Sequence, residues 1–409
     1  MTETTQRICI VTETYAPEVN GVAHTLSMLV SGMLQRGIHV QIIRPRQNKE
    51  DTGGNSRHES GLLSELTLPG LPMPGYPELR FGLPSKRKVR NTLEAFRPDA
   101  IYVATEGPLG WAACRTAHRL GIPVVSGFHT NFHQYGKHYG AGLLEALGYR
   151  YMRWFHNQTS ATLVPTAQQA AELNEHGFER VSVMSRGVDS HQFSPARRSA
   201  ELRRQWGVKD DDLVLLYVGR IAAEKNMQLV LKTWQHLKGS NSRIRLVLVG
   251  NGPELDNIRT RHPDVICAGV KRGEELATYY ASGDIFLFPS LTDTFGNVVT
   301  EALASGLALV SFDYAAAHEH TEHNHSAMLA PFGDEAAFLR AAATLQERPN
   351  LLSQIRHAAR DIAQGISWDS IVDEFLQHLY SARALRVTHG TKQTSSGKSR
   401  VSVQKSRSV

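Results

Sequence analysis

The stretch Asp293-Thr294-Phe295-Gly296-Asn297-Val298-Val299-Thr300-Glu301-Ala302-Leu303-Ala304-Ser305-Gly306 decides the fold, because it follows the apolar strand candidate Ile285–Phe288 and enters a helix. Such a junction presents free backbone N–H groups and the positive end of the helix dipole to a ligand. Gly296 lets a ligand approach the main chain closely. Asp293 and Glu301, about two helical turns apart, can face one crevice, where carboxylates suit the paired hydroxyls of a sugar or ribose. Either acid alone could instead be a helix cap or a solvated helix residue.

Two cations lie in the loop Gly219–Asn226, between a strand candidate and a helix. Arg220 offers a bidentate fork and Lys225 a point charge, a combination that suits a diphosphate. The loop is not a Walker A motif, because the glycine spacing and the GK[ST] element are absent. Taken alone, it could equally be a solvated basic turn.

Two loops in the first half of the chain also follow strand candidates. The loop Glu13–Ala23 places Gly21 at the start of a helix, where a phosphate could bind, but it lacks the GxGxxG of nicotinamide and flavin sites. The loop Gly127–Gly136 carries His129, which on its own could be a structural residue. Groups at the carboxyl ends of strands line the ligand crevice of a doubly wound sheet. The four loops together therefore predict one binding crevice.

Short apolar runs alternate with longer amphipathic runs, the pattern of βα units around a parallel sheet. The predicted strands are Ile8–Val11, His39–Ile43, Ala100–Val103, Val124–Gly127, Leu163–Pro165, Val181–Met184, Val214–Gly219, Arg245–Val249, Val265–Ala268, Ile285–Phe288 and Ala308–Phe312. The pattern predicts two α/β domains, residues 1–195 and 196–366. We expect a helix at 367–386 that packs back on the first domain, and a disordered basic tail at 387–409.

Composition describes an ordinary soluble globular protein, with 41% apolar and 21% charged residues. The three cysteines, Cys9, Cys114 and Cys267, are too few and too far apart for a disulfide framework, which favours a reducing compartment. The six basic residues between Arg386 and Val409 account for the net charge of +6, so the charge does not indicate a nucleic-acid-binding face. We recognise neither a secretory signal nor a membrane span, so any membrane contact is expected to be peripheral.

On these motifs the sequence resembles glycosyltransferase family 4, of the GT-B fold, over roughly residues 6–382. The most specific match is the acid-x7-acid loop formed by Asp293 and Glu301, with Phe295 and Gly296 between them. The family usually has Glu at the first position, so Asp293 is a departure that keeps the charge on a shorter arm. The resemblance implies two Rossmann-like, doubly wound parallel-sheet domains with a donor cleft between them.

The resemblance also implies what each candidate residue does with a nucleotide diphosphate sugar. Arg220 and Lys225 would neutralise the diphosphate, while Glu301 would bind the ribose and Asp293 the sugar. Further donor contacts would come from Gly21, Phe295, Gly296, Asn297 and Val298, and His129 would lie near the 6-position of the sugar. The implied reaction is a front-face displacement with retention of configuration, without a metal or any other cofactor.

A basic helix is predicted over Ser85–Phe96, with Lys86, Arg87, Lys88 and Arg90 near its start. Val89, Leu93 and Phe96 share one face, so the helix could dock on anionic headgroups, or it could be a solvated helix with a core stripe. The loops around Gly21 and His129 are most similar to family members that glycosylate membrane lipids. We therefore predict a lipid acceptor and a cytoplasmic enzyme, peripheral on the inner face of the membrane.

Several alternatives stay open at this point. The acceptor could be soluble or a polysaccharide, and the same fold could house a nucleotide-sugar epimerase or a protein that only binds the donor. GDP-mannose, UDP-glucose and UDP-glucuronate are all possible donors, because the base is expected to contact backbone around Gly250–Pro253 and Gly269–Lys271. Four histidines crowd one loop without HExxH or a nearby cysteine, which favours a polar crevice loop over a zinc site; they are His318, His320, His323 and His325.

Overall fold

The protein folds around two separate parallel sheets, seen in a computed structural model. The structure describes residues 6–18, 20–47, 54–57, 61–73, 76–129, 142–209, 212–240, 243–293 and 295–395. The predicted loop beyond His129 and the predicted tail beyond Ser395 lie outside these ranges. Each sheet is covered on both faces by helices, so its strands are nearly continuous apolar runs.

The first sheet has the spatial order β10-β9-β8-β7-β1-β2-β4-β3 and is parallel except for the antiparallel pair β3–β4. Its strands are β1 (Arg7–Val11), β2 (His39–Pro45), β3 (Gly54–Arg57), β4 (Leu63–Leu68), β7 (Ala100–Val103), β8 (Val124–Gly127), β9 (Ala161–Val164) and β10 (Val181–Val183). A separate antiparallel hairpin is formed by β5 (Gly70–Met73) and β6 (Tyr76–Gly82).

The second sheet is parallel throughout and has the order β13-β12-β11-β14-β15-β16. Its strands are β11 (Val214–Val218), β12 (Arg245–Val249), β13 (Ile266–Gly269), β14 (Ile285–Phe288), β15 (Ala308–Phe312) and β16 (Ala327–Ala330). From β11 the chain first adds β12 and β13 on one side of the sheet and then adds β14, β15 and β16 on the other side. Ligands bind at such a switch point in open α/β sheets.

The α-helices lie between these strands and on the faces of the sheets. In the first half they are α1 (Gly21–Gln35), α2 (Lys86–Phe96), α3 (Pro108–Leu120), α4 (Gly142–His156) and α5 (Ala167–Glu175). In the second half they are α6 (Ala200–Gln205), α7 (Met227–Ser240), α8 (Leu255–Arg261), α9 (Gly273–Ser282), α10 (Asn297–Ala304), α11 (Ala315–His320), α12 (Glu335–Glu347), α13 (Pro349–Gly365) and α14 (Trp368–Ser395). Among the helices described, none is both long and apolar enough to cross a bilayer.

The chain crosses between the two sheets at two adjacent points. Val188 on the first crossover pairs with Ser367 on the second, and a Cβ on Gly187 would lie 2.6 Å from the backbone nitrogen of Trp368. Val188 and Phe193 already pack in the core of the second domain, so the first crossover lies ahead of the predicted boundary at 195.

The last helix, α14, packs against the first domain. Val372 lies so close to α1 that a Cβ on Gly32 would come within 2.5 Å of its Cγ2, and Phe375 packs edge-on against the ring of Tyr102. Arg36 holds the helix further through Asp369 and Asp373. The helix continues to Ser395, past the predicted end at 386.

The strand predictions missed β3 to β6 and β16. Most predicted strands rested on a short apolar run, whereas β4 (LSELTL) alternates apolar and polar residues near the edge of the sheet. The edge strand β16 has the sequence AMLA, which contains no β-branched residue to mark it.

Candidate active site

The loops after β11 and β14 meet through an ion pair. Lys225 ends a short 3-10 turn, and its Nζ donates to Asp293 Oδ1 at 2.9 Å. Both side chains are about one-fifth exposed, and Thr292 Oγ1 donates to the carbonyl of Glu224 at 3.3 Å, so the two loops brace each other. The other carboxylate oxygen, Asp293 Oδ2, is buried and has no hydrogen-bond partner in the part of the chain that the structure describes. The pair therefore offers both a cation and an unsatisfied acceptor at the carboxyl end of the sheet.

Arg220 lies on the same loop but points outward. Its side chain is 60% exposed and pairs with Glu224 at 3.1 Å, while its carbonyl accepts a hydrogen bond from the Tyr217 hydroxyl. A surface pair of this kind is weak, so the guanidinium can turn to a ligand at little cost. The loop path depends on glycine: Gly250 has φ +140°, and a Cβ there would lie 1.9 Å from the Gly219 carbonyl oxygen.

Helix α10 begins beside this ion pair. Gly296, just before it, has φ +92°, and a Cβ there would lie 3.2 Å from the ring of Phe288. Phe295 is buried, which fixes the loop, and Asn297 and Val298 form the first turn, where backbone N–H groups lack helical partners. Further along, Glu301 accepts a hydrogen bond from the buried Tyr280 hydroxyl at 2.8 Å.

Burial raises the pKa of Glu301 to about 7, against 4.5 for the free side chain. Between these two pH values the folded protein holds a proton that the unfolded chain has released, so this group lowers stability as pH rises from 4.5 to 7. We expect Glu301→Gln, which keeps an acceptor for Tyr280, to reduce the loss of unfolding free energy between pH 5 and pH 8 by about 2 to 3 kcal/mol.

Urea denaturation of both proteins across that pH range measures the effect. Other groups contribute slopes of both signs in both proteins, because burial raises the pKa of Glu13 to about 7 and lowers the pKa of His129 and of His156 to about 3, so the difference between the two proteins is what reports on Glu301. Identical slopes in the two proteins would show that Glu301 does not carry this proton.

The first domain presents the start of α1 to the same region. Asn20 caps this helix by accepting from the backbone N–H of Ala23 at 2.9 Å, and Gly21 follows as the first helical residue. A Cβ on Gly21 would lie 3.4 Å from Arg186 Nη1 and 4.0 Å from Asn297 Nδ2. The N-termini of α1 and α10 are therefore brought together across the cleft.

His129 follows β8 and is held by a tyrosine. Its Nε2 lies 3.1 Å from the Tyr102 hydroxyl, and its buried Nδ1 has no hydrogen-bond partner among the described residues. A Cβ on Gly127 would lie 2.0 Å from the Tyr102 hydroxyl oxygen and 2.6 Å from His129 Nε2, so only glycine leaves room for this contact. Burial, with smaller contributions from Arg186 and His156, lowers the pKa of His129 to about 3, which keeps the imidazole neutral.

Arg186 and Tyr102 were not predicted as site residues. Arg186 follows β10 and crosses to the second domain, where it donates to Asn297 Oδ1 at 3.3 Å and lies 5.5 Å from the ring centre of Phe295. Burial lowers its pKa to about 10, so it stays charged at neutral pH. Its position after a strand was the available signal in the sequence.

The histidine-rich loop contributes contacts between the domains. His320 bonds Ser185 at 3.0 Å, and Glu319 accepts from the backbone N–H of Ala167 at the start of α5. His318 pairs separately with Asp313, and His323 accepts from the Leu329 backbone. Across the described residues, no group of three His, Cys, Asp or Glu side chains is placed to hold a metal ion.

Comparison with known proteins matches each half of the chain to a glycosyltransferase profile. The profile described as Glycosyltransferase Family 4 matches residues 19–192, and that described as Glycosyl transferases group 1 matches residues 212–348. A GDP-mannose-dependent alpha-mannosyltransferase of Mycobacterium tuberculosis is 30% identical over 389 residues, covering 93% of this chain and 98% of the relative. An alpha-monoglucosyldiacylglycerol synthase of Streptococcus pneumoniae is 26% identical, covering 75% and 70%.

Solved structures show the same architecture. Sucrose-phosphate synthase from Thermosynechococcus elongatus superposes with a TM-score of 0.74 at 16% identity, covering 93% of this chain and all of that one. HepE of Anabaena in complex with UDP gives 0.72 at 19% identity, covering 92% and 100%. The fold and the matches define a glycosyltransferase of the GT-B type. The chain belongs to glycosyltransferase family 4.

Proposed function

We propose that the chain is a retaining α-glycosyltransferase that moves a hexose from a nucleotide diphosphate sugar to a membrane lipid. The observation that carries the proposal is the Lys225–Asp293 pair beside the N-terminus of α10 and opposite that of α1. The full-length similarity to GDP-mannose-dependent alpha-mannosyltransferases supports the reaction class and favours GDP-mannose. UDP-glucose and UDP-glucuronate are the other donors to test.

The proposed donor site spreads the negative charge of the leaving diphosphate over fixed positive groups. Arg220 and Lys225 neutralise the diphosphate, assisted by the amides of Gly296, Asn297 and Val298 and by the α1 N-terminus at Gly21. Asp293 and Glu301 bind the hydroxyls of the sugar and the ribose, and Phe295 holds the loop in place. Preorganised charge of this kind can replace a metal ion, so we propose that activity needs neither a metal nor another cofactor.

The proposed chemical step is a displacement on one face of the sugar. The bond between the anomeric carbon and the diphosphate oxygen breaks, and the acceptor oxygen bonds to the same carbon from the same face. The acceptor proton passes to the leaving phosphate oxygen. His129, neutral and with an unpartnered Nδ1, would contact the sugar without adding charge near the 6-position.

A membrane lipid is the proposed acceptor. The supporting similarity is to alpha-monoglucosyldiacylglycerol synthases of Streptococcus pneumoniae and Acholeplasma laidlawii, which are named for a diacylglycerol product. We propose that the enzyme acts from the cytoplasmic side, with Lys86, Arg87, Lys88 and Arg90 facing anionic headgroups. All four are exposed on α2.

The apolar part of that membrane contact must come from another helix. Val89 and Leu93 of α2 are fully buried in the core of the domain, so α2 can contribute only charge. Leu147, Tyr151 and Trp154 form an exposed stripe on α4, at i, i+4 and i+7. The Tyr151 hydroxyl donates to the carbonyl of Glu106, in the loop after β7. This contact ties the stripe to the loop at the carboxyl end of β7, the end of the sheet that carries the proposed site, and we propose that a lipid acceptor enters there.

We expect the quadruple charge reversal of Lys86, Arg87, Lys88 and Arg90 to Glu to abolish binding to vesicles containing phosphatidylglycerol. Each basic residue near an anionic surface contributes about 1 kcal/mol, so the loss should exceed 100-fold and the wild-type binding should weaken with salt. Vesicle co-sedimentation measures this loss of binding. Arg340→Glu, on the exposed face of α12, is the control.

The stripe on α4 is tested in the same assay. Leu147→Ser/Trp154→Ser should weaken binding to neutral and anionic vesicles alike, because it removes apolar contact. If both the charge reversal and this double variant bind as the wild type does, the membrane proposal is wrong.

Turnover with purified substrates tests the proposed function itself. Each donor is incubated with diacylglycerol, phosphatidylinositol or a glycolipid in mixed micelles, with and without EDTA, and the product anomer is assigned by NMR. We expect an α-linked glycolipid with one donor and rates within about twofold in EDTA. An isomerised donor without acceptor would indicate an epimerase, and transfer only to water-soluble sugars would exclude the lipid acceptor.

A further inference from the structure

Arg186 is a buried arginine that makes no ion pair with a carboxylate among the described residues. It is 6% exposed, its guanidinium donates a hydrogen bond to the Asn297 side chain and lies over the face of Phe295, and Asp293 acts on it only electrostatically, without a direct ion pair. The other buried arginines are paired: Arg203 with Asp284 and Arg44 with Glu65, each at 3.0 Å. A buried charge without a counter-ion costs free energy, so this arrangement favours a ligand that supplies the counter-ion.

The surroundings of Arg186 are suited to an anion. Its Nη1 would lie 3.4 Å from a Cβ on Gly21 at the start of α1, and it bonds Asn297, the first residue of α10. Two helix N-termini and one guanidinium therefore lie close together, and Asp293, the acid that interacts electrostatically with Arg186, is already paired with Lys225. Positive groups from both domains converge there with one carboxylate between them.

We propose that Arg186 is a third cation of the donor site, which the first domain places on the diphosphate opposite Lys225 and Arg220. The inference rests on the proposed function, because it takes the ligand to be a nucleotide diphosphate sugar. Arg220 and Lys225 belong to the second domain, whereas Arg186 belongs to the first. The diphosphate can therefore contact all three cations only when both domains are in place around it. Donor binding then favours the arrangement in which Arg186 reaches Asn297.

Calorimetric titration of GDP, UDP, GMP and UMP into the wild type and Arg186→Gln tests the assignment. With the nucleoside diphosphate that the wild type prefers, we expect the variant to bind roughly 10- to 100-fold more weakly, the range for a hydrogen bond to a charged group. With the matching monophosphate we expect a change within about threefold. Arg186→Lys should fall between the two, because it keeps the charge and loses the fork.

Thermal unfolding of the ligand-free proteins separates binding from structure. Because the buried charge is uncompensated, Arg186→Gln should unfold at or above the wild-type temperature, and Arg340→Gln on the exposed face of α12 should match the wild type in both assays. Equal diphosphate affinity in Arg186→Gln and wild type would overturn the assignment. The assignment would also be overturned if Arg186→Gln lowered the unfolding temperature and Arg186→Lys restored both the unfolding temperature and the affinity. That result would indicate a structural role for Arg186. If the wild type itself bound no nucleotide, the proposed function would fail instead.

Discussion

Lys225→Met is expected to lower kcat/KM by 100- to 1,000-fold. The variant removes the cation that pairs with Asp293 in the loop before α10, and a preorganised charge on a developing anion contributes about 3 to 4 kcal/mol. It also leaves Asp293 ionised without its partner, so the nucleoside diphosphate, itself an anion, should bind more weakly. Steady-state kinetics with the best donor measures the effect.

The matched control for Lys225→Met is Lys232→Met, on the exposed face of α7. Lys232 pairs with Glu335 at the same 2.9 Å, but both side chains are about half exposed, and surface pairs contribute little. We expect its kcat/KM to stay within about twofold of wild type. Equal losses in the two variants would mean that Lys225 acts through general stability and not through the donor.

Asp293→Asn is expected to reduce turnover without weakening the binding of the nucleoside diphosphate. In the ligand-free protein the Lys225 ammonium donates a hydrogen bond to Asp293 Oδ1. Removing the carboxylate leaves that cation available to the ligand, so the affinity for the nucleoside diphosphate should stay equal or increase. Turnover should nevertheless fall about 100-fold, because the group that would hold the sugar hydroxyls has lost its charge. Calorimetry and kinetics on the same preparation measure the two effects.

Two comparison variants sharpen that result. Asp256→Asn, on the exposed face of α8, controls for loss of a carboxylate, since its pair with Arg259 is long and solvated. Asp293→Glu restores the residue that the family usually has at this position and should keep substantial activity. If Asp293→Asn lost diphosphate affinity and turnover in parallel, Asp293 would be a loop brace and not a sugar ligand.

Local sequence was sufficient to predict the central strands and the loops that follow them. The runs that became β1, β7, β11 and β14 are apolar because helices cover both faces of each sheet, so their carboxyl ends could be placed in one crevice. The Asp293–Glu301 stretch was recognisable because the spacing of its acids and its glycine is set within a single strand–loop–helix unit.

Contacts between distant elements could not be predicted in this way. Tyr102 belongs to an apolar strand, and only the pairing of β7 with β8 brings its hydroxyl to His129. Arg186 lies in a polar, turn-rich stretch, and its burial follows from the second domain covering it. The basic helix α2 was predicted correctly as a helix, yet whether its apolar stripe was free or buried depended on the core around Val89 and Leu93.

The most direct test of the central claim is a thermal-unfolding screen of the wild type against GDP-mannose, UDP-glucose and UDP-glucuronate. A ligand that binds only the folded state raises the unfolding temperature as its concentration rises above Kd. We predict that one of these donors stabilises the wild type, and that Lys225→Met loses most of the shift. No stabilisation of the wild type by any nucleotide sugar, at concentrations up to several millimolar, would contradict a donor site between the two domains.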